Sequence, residues 1–75
     1  MLRLVEAQAR VIGENVTRLA EAKGLSLRRL SRWADVSPQT IGDVLHGKAN
    51  PTVKTLVQIA AVLEVEPWEL LRPVE

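Results

Sequence analysis

Three arginines, Arg28, Arg29 and Arg32, stand just ahead of a Ser37-Pro38 pair, and the chemistry open to that set is noncovalent. Guanidinium groups neutralise phosphate oxygens and hydrogen-bond to them. A Ser-Pro pair starts a helix: serine accepts from a first-turn N–H, and proline sits where no N–H is needed. A helix end made this way presents unpaired N–H groups that attract anions. Lys48, Asn50, Thr52 and Lys54 repeat the mixture of charge and polar groups a few residues on. Bond-making chemistry has no comparable support. The chain holds one histidine, His46, and no cysteine, so neither a Ser/His/Asp constellation nor a thiolate site can be assembled. His46 closes a helix and reads as a C-terminal cap or dipole partner. No GK[ST] phosphate loop occurs. Neither an enzyme nor a metal or cofactor site is expected.

The elements that position these groups follow from spacing. In residues 27–46, LRRLSRWADVSPQTIGDVLH, Leu30 and Ala34 lie four apart on one helical face, and Ile41 and Val44 lie three apart on another. Val36 falls between them in a tight turn, and Ser31 is small where two crossed helices must approach most closely. Asp35 stands where the turn needs a left-handed backbone, which Asp tolerates better than most residues. The arrangement is a helix-turn-helix, the unit that lays its second helix in the DNA major groove. Ser26 caps the first of these helices, which runs to about Trp33; Pro38 to Leu45 forms the second.

An earlier helix is predicted over Ala7 to Lys23, with Ile12, Val16, Leu19 and Ala20 on one face and Gly24 as its stop. Gly13 inside it costs about 1 kcal/mol relative to Ala, and is expected to mark where an N-terminal extension, residues 1–10, meets the domain at 11–72. The extension either continues helix one or folds separately. After the turn residues 48–51, Thr52 caps a fourth helix with a face of Val53, Leu56, Ile59, Ala60 and Leu63. Glu66-Pro67 opens a short fifth, with Trp68, Leu70 and Leu71. No strand, repeat or low-complexity segment is found. The prediction is an all-α orthogonal bundle of five helices.

Seventy-five residues make one domain close to the lower limit for a single core. The apolar fraction of 47% excludes disorder, and with no Phe or Tyr the core must be aliphatic. Trp33 and Trp68 read as core or interface plugs. No apolar run reaches the roughly 18 residues a bilayer span needs. Arg3, Glu6 and Arg10 break the start of the chain too often for a signal peptide, and a cytoplasmic location is expected. The net charge of +1 conceals an asymmetry: residues 1–54 carry +4 and residues 55–75 carry −3. The basic part coincides with the helix-turn-helix and the loop after it, the footprint of a phosphate-facing surface.

These motifs resemble the Cro/cI-type helix-turn-helix family of phage repressors and xenobiotic-response-element-like bacterial regulators. The matching elements are IGENVTRL at 12–19, KGLS at 23–26, the Leu30, Ala34, Val36 and Ser37 pattern, TI at 40–41, HGKANP at 46–51, TLVQIAAVLEV at 55–65 and PWELL at 67–71. The resemblance covers residues 12–71 in order and spacing, and implies a lambda-repressor-like bundle. Three positions depart from it. Leu27 stands where the family often has a phosphate-binding Gln, Asp35 replaces the usual turn Gly, and Glu64 replaces the Gly that often ends helix four.

The resemblance implies that the start of the third helix reaches base edges, which here means Pro38, Gln39, Thr40, Gly42 and Asp43. Gln39 can pair bidentately with adenine N6 and N7. Thr40 offers a methyl to thymine or a hydroxyl to phosphate, Asp43 can accept from cytosine N4, and Pro38 can touch a thymine methyl. With no Arg for guanine, modest specificity is expected, favouring A·T or C·G at the centre of each half-site. Backbone contacts are expected from Arg28, Arg29, Ser37, Lys48, Asn50, Thr52 and Lys54.

The expected function is sequence-specific binding of double-stranded DNA as a transcriptional regulator, with repression by occupancy. One monomer reads too few base pairs to be selective, so a homodimer is expected. Val65, Trp68, Leu71 and Val74 are one candidate contact and Leu2, Leu4 and Val5 another. Two alternatives stand beside this reading: an antitoxin-type regulator that also binds a toxin partner, and a protein-interaction module that has lost DNA binding.

Overall fold

The computed structural model describes residues 2–48 and 50–73, with side chains described from residue 4 onward. Four α-helices follow in order, α1 (Leu2–Ala22), α2 (Leu27–Ala34), α3 (Pro38–Leu45) and α4 (Val53–Leu63), and then a 3₁₀ turn at Pro67–Leu70. No strand occurs among the described residues. The all-α expectation is met, but the fifth predicted helix is only this 3₁₀ turn. The carbonyls at and after its end are taken by α1: the Asn15 amide Nδ2 donates to the Leu70 carbonyl at 2.9 Å and, beyond the turn, to the Arg72 carbonyl at 2.8 Å. Pro73, which cannot donate, lies just beyond.

Three helices begin as the sequence predicts. Ser26, Ser37 and Thr52 all take extended backbone angles, and their hydroxyls accept from the N–H groups of Arg29, Thr40 and Thr55. Such caps contribute about 1 kcal/mol each. α2 and α4 stop on left-handed residues. Asp35 (φ 57°) takes the conformation expected of it, and Glu64 (φ 61°) does the same at the end of α4. The Lys23 ammonium pairs with the Glu64 carboxylate and joins the ends of α1 and α4. That hydrogen bond first, and the ammonium charge second, hold the Glu64 carboxyl below the ordinary carboxylate range. A lowered folded-state value means that this contribution is present near neutrality and fades as pH falls through it. Both groups are solvated, so the contribution is small.

α1 is longer at its start than the predicted Ala7 to Lys23. Residues 2–10 continue the helix, since no Gly or Pro interrupts them, and Ala9 is buried. Gln8 Nε2 donates to the Leu71 carbonyl at 2.8 Å, so the start of α1 is fixed to the chain's C-terminal segment.

The core is aliphatic throughout. Ile12, Val16 and Ala20 of α1 meet Leu30 and Ala34 of α2, Val36 of the turn, Ile41 and Val44 of α3, and Ile59, Ala60 and Leu63 of α4, with Leu70 closing one end. Leu19 and Leu56 pack against it half-buried. Two expectations fail. Val53, in the first turn of α4, is 77% exposed and does not share the buried face. Trp33 and Trp68 are 60% and 56% exposed, so the core half of their reading fails and only the interface half is left; the Arg72 guanidinium lies 5.4 Å from the Trp68 ring centroid.

Gly13 has a role that propensity does not show. A Cβ there would lie 2.6 Å from the Leu45 carbonyl oxygen and 2.7 Å from that of Val44. α1 and α3 therefore cross with backbone against side-chain-free backbone. Gly13 is what lets the two backbones approach this closely.

Candidate nucleic-acid interface

α3 is seated by one apolar face and held at both ends. Ile41 and Val44 are buried, while Gln39 is exposed and Gly42 and Asp43 are half-exposed. Gln39, Gly42, Asp43 and His46 fall at i, i+3, i+4 and i+7, so they form one outward stripe opposite the core. The turn ahead of α3 is locked. The Ser31 hydroxyl, buried, donates to the Val36 carbonyl, and the Val36 N–H donates to the Ser31 carbonyl at 3.1 Å. Ser31 is thus a turn-fixing hydrogen-bond donor as well as a small residue at a crossing.

The leading end of α3 has a defined set of free donors. The Ser37 hydroxyl oxygen accepts from the Thr40 N–H at 3.1 Å, and its proton is donated to Thr40 Oγ1 at 2.8 Å. The Ile41 N–H goes to the Ser37 carbonyl. Pro38 has no N–H. What is left pointing outward is the Gln39 N–H, the Gln39 side-chain amide and the Thr40 hydroxyl proton. Ser37 therefore orients the Thr40 hydroxyl, and its own proton is engaged there. Pro38 is exposed beside them, and Asp43 sits one turn further along.

The same device recurs at α4. Thr52 accepts from the Thr55 N–H and donates to Thr55 Oγ1, both at 3.1 Å. Thr55 thereby becomes an oriented donor that inspection of single residues misses. The repeated Ser/Thr-x-x-Thr spacing, Ser37 to Thr40 and Thr52 to Thr55, is the signal that finds it. Lys54, Asn50 and Thr52 are all exposed at this end.

Lys48 is tied to α3 by its backbone, whose N–H donates to the Asp43 carbonyl at 2.8 Å. Its side chain is exposed beside the last turn of α3. His46 caps that turn: its Nδ1 meets the Gly42 carbonyl oxygen at 2.7 Å, and its N–H donates to the same oxygen at 3.0 Å. The reading of His46 as a C-terminal cap agrees with this geometry.

Arg28 and Arg29 occupy the first turn of α2 and are exposed, as is Arg32 one turn on. Among the described residues none of the three is in an ion pair. They do not form one cluster. Arg28 and Arg32 share one flank of α2, and Arg29 shares the other with Trp33. Exposed cationic or hydroxyl groups thus stand at the start of α2, at the start of α4 and in the loop joining α3 to α4.

No group of three or more potential metal ligands occurs among the described residues, and no helix there is long and apolar enough to cross a membrane.

Comparison with known proteins agrees with this architecture. A family model described as helix-turn-helix matches residues 8–70. An uncharacterised HTH-type transcriptional regulator, y4dJ of Sinorhizobium fredii, is 33% identical over 66 residues, spanning 88% of this chain and 86% of that protein. The restriction-modification controller protein C.AhdI from Aeromonas hydrophila superimposes with a TM-score of 0.81 at 30% identity, over 85% of this chain and 97% of its own. A hypothetical transcription factor from Neisseria, NHTF, has a TM-score of 0.84 at 24% identity over 88% and 76%, a likeness of fold. The motif read from Leu30 to Val44, the locked turn and these matches agree: the chain belongs to the helix-turn-helix family, among relatives of the Cro/cI type.

Proposed function

We propose that this chain is a cytoplasmic transcriptional regulator that binds double-stranded DNA sequence-specifically as a homodimer and represses by occupying its site. The observation that carries this reading is the outward stripe of α3, headed by Gln39, on a helix whose opposite face is fully buried. Such a helix can enter a groove without unfolding anything behind it. Gln39 reads adenine, Pro38 and Thr40 touch neighbouring edges or phosphate, and Asp43 accepts from cytosine N4. Arg28, Arg29, Ser37, Lys48, Asn50, Thr52 and Lys54 hold the flanking phosphates, with Thr40 and Thr55 supplying oriented hydroxyl protons. Residues 11–72 form the binding domain.

Dimer pairing sets two α3 helices about 34 Å apart in successive grooves. The two apolar segments named in the sequence belong to one face. Gln8, bonded to the Leu71 carbonyl, lies one turn beyond Leu4 and Val5, which are 73% and 44% exposed. Trp68 and Leu71 are exposed on the adjoining C-terminal segment, whereas Val65 packs against the core. Leu4, Val5, Trp68 and Leu71 are therefore the pairing surface of choice. Val74 and the side chain of Leu2 lie outside the described residues.

The reading is tested by selecting duplexes from a random library and measuring Gln39→Ala on the selected site and on random DNA. A loss of about 1–3 kcal/mol on the selected site with little change on random DNA is expected. Equal losses on both would remove Gln39 from base reading.

A further inference from the structure

The C-terminal segment is held on α1 more by its main chain than by its side chains. Three successive carbonyls, those of Leu70, Leu71 and Arg72, accept from two amides of that one helix. Asn15 Nδ2 has two protons, and they go to Leu70 at 2.9 Å and Arg72 at 2.8 Å, with the Glu69 carbonyl at 3.4 Å. Gln8 Nε2 takes the carbonyl between them at 2.8 Å. Leu4, Gln8, Val11 and Asn15 fall at i, i+4, i+7 and i+11, so both amides belong to one stripe of α1. From Trp68 to Arg72 only Leu70 is a buried side chain, while Trp68, Leu71 and Arg72 are exposed. Asn15 is fully buried, and its Oδ1 accepts from the Arg18 guanidinium at 3.3 Å. A buried amide costs stability unless its polar atoms are paired, and an apolar side chain of the same size would serve packing alone. What the amide adds is a fixed path for the backbone it holds.

We propose that Gln8 and Asn15 are positioning residues for pairing with a second copy of this chain: they hold Trp68 and Leu71 ready beside Leu4 and Val5. This role rests on the homodimer reading and deepens it. Both charge signs, Arg72 and Glu69, stand beside Trp68, which suits a two-fold contact in which a patch meets its own copy. The amides act through the segment they hold. With a donor lost, that segment has to be ordered at the moment of pairing, and the cost of ordering weakens the dimer. Among the described residues the two amides bond only to the C-terminal segment and, within α1, to Arg18. Loss of a donor is therefore felt in pairing and not in the contact of one α3 with its own half-site.

Gln8→Met is the decisive variant. Gln8 is exposed, and Met keeps the length of its side chain and its helix propensity while removing the donor. Asn15→Leu removes the buried donors; where it fails to fold, Gln8→Met decides alone. Each is compared with the unaltered chain by sedimentation equilibrium, and by anisotropy on the selected paired site and on a single half-site. For Gln8→Met the dimer Kd is expected to rise at least about fivefold, and for a folded Asn15→Leu by more. Affinity for the paired site is expected to fall by a similar factor, with half-site affinity unchanged within about twofold. An unchanged dimer Kd in either folded variant would overturn the positioning role. Equal losses on both duplexes would also overturn it, since a general loss of fold weakens every contact alike. An unaltered chain that stays monomeric at about 1 mM, or that binds the paired site no more tightly than the half-site, would instead overturn the homodimer reading, and the positioning role with it.

Discussion

Gly13→Ala is expected to lose about 3 kcal/mol of folding stability, a large share of what so small a domain has. Helix propensity alone gives the opposite sign, because Ala is favoured over Gly by about 1 kcal/mol inside a helix. Packing decides the outcome. The new methyl carbon would sit 2.6 and 2.7 Å from two backbone carbonyl oxygens at the end of α3, and backbone cannot rotate aside as a flexible side chain does. α3 has to move away from α1, which opens the core at Ile12 and Val44 and tilts the Gln39 stripe. Gly42→Ala is the internal control. Its Cβ would meet nothing within 4 Å, so propensity acts unopposed and a gain of up to about 1 kcal/mol is expected. Urea unfolding of both variants measures the pair. A stabilised Gly13→Ala would show that α1 and α3 do not cross as described.

Binding to duplex DNA is expected to weaken by on the order of 10³-fold or more between about 50 and 200 mM salt. Each phosphate neutralised contributes about 0.9 to the slope of log K against log salt. Arg28, Arg29, Lys48 and Lys54 supply four cations per subunit, all exposed and, among the described residues, free of acidic partners. A dimer doubles the set. Fluorescence anisotropy on a labelled random duplex measures the slope. Lys48→Ala is expected to lower it by about one for each site lost, with no change in sequence preference. A shallow slope would mean that the basic half of the chain faces something other than phosphate.

Much of this was legible before the fold was known. Caps and turns are local, so Ser26, Ser37, Thr52 and Asp35 declare themselves from a few neighbouring residues. The buried faces of α2 and α3 follow from spacing alone. What escaped depends on distant parts of the chain. Asn15 lies within the buried arc between Ile12 and Val16, but an amide there reads as surface until the Leu70 and Arg72 carbonyls are seen to need its N–H groups. Gly13 reads as a weak point until the end of α3 is laid against it. The fifth helix was overestimated for the same reason, because nothing local says that its carbonyls will be taken by α1. Val53 fits the heptad of α4 but sits in a first turn that no other helix covers. Within the candidate interface the outward placing of Gln39 and Asp43 on α3 followed from spacing. The hydroxyl pairs Ser37–Thr40 and Thr52–Thr55, which decide which proton is free, did not.

The most direct test is to titrate the ¹⁵N-labelled chain with its selected duplex and map the amide resonances that move. The leading end of α3 is expected to respond most, from Ser37 through Asp43, followed by the starts of α2 and α4 and by Lys48. Shifts confined to the Leu4, Trp68 and Leu71 face, with Gln39 and Thr40 unmoved, would contradict insertion of α3 into the groove.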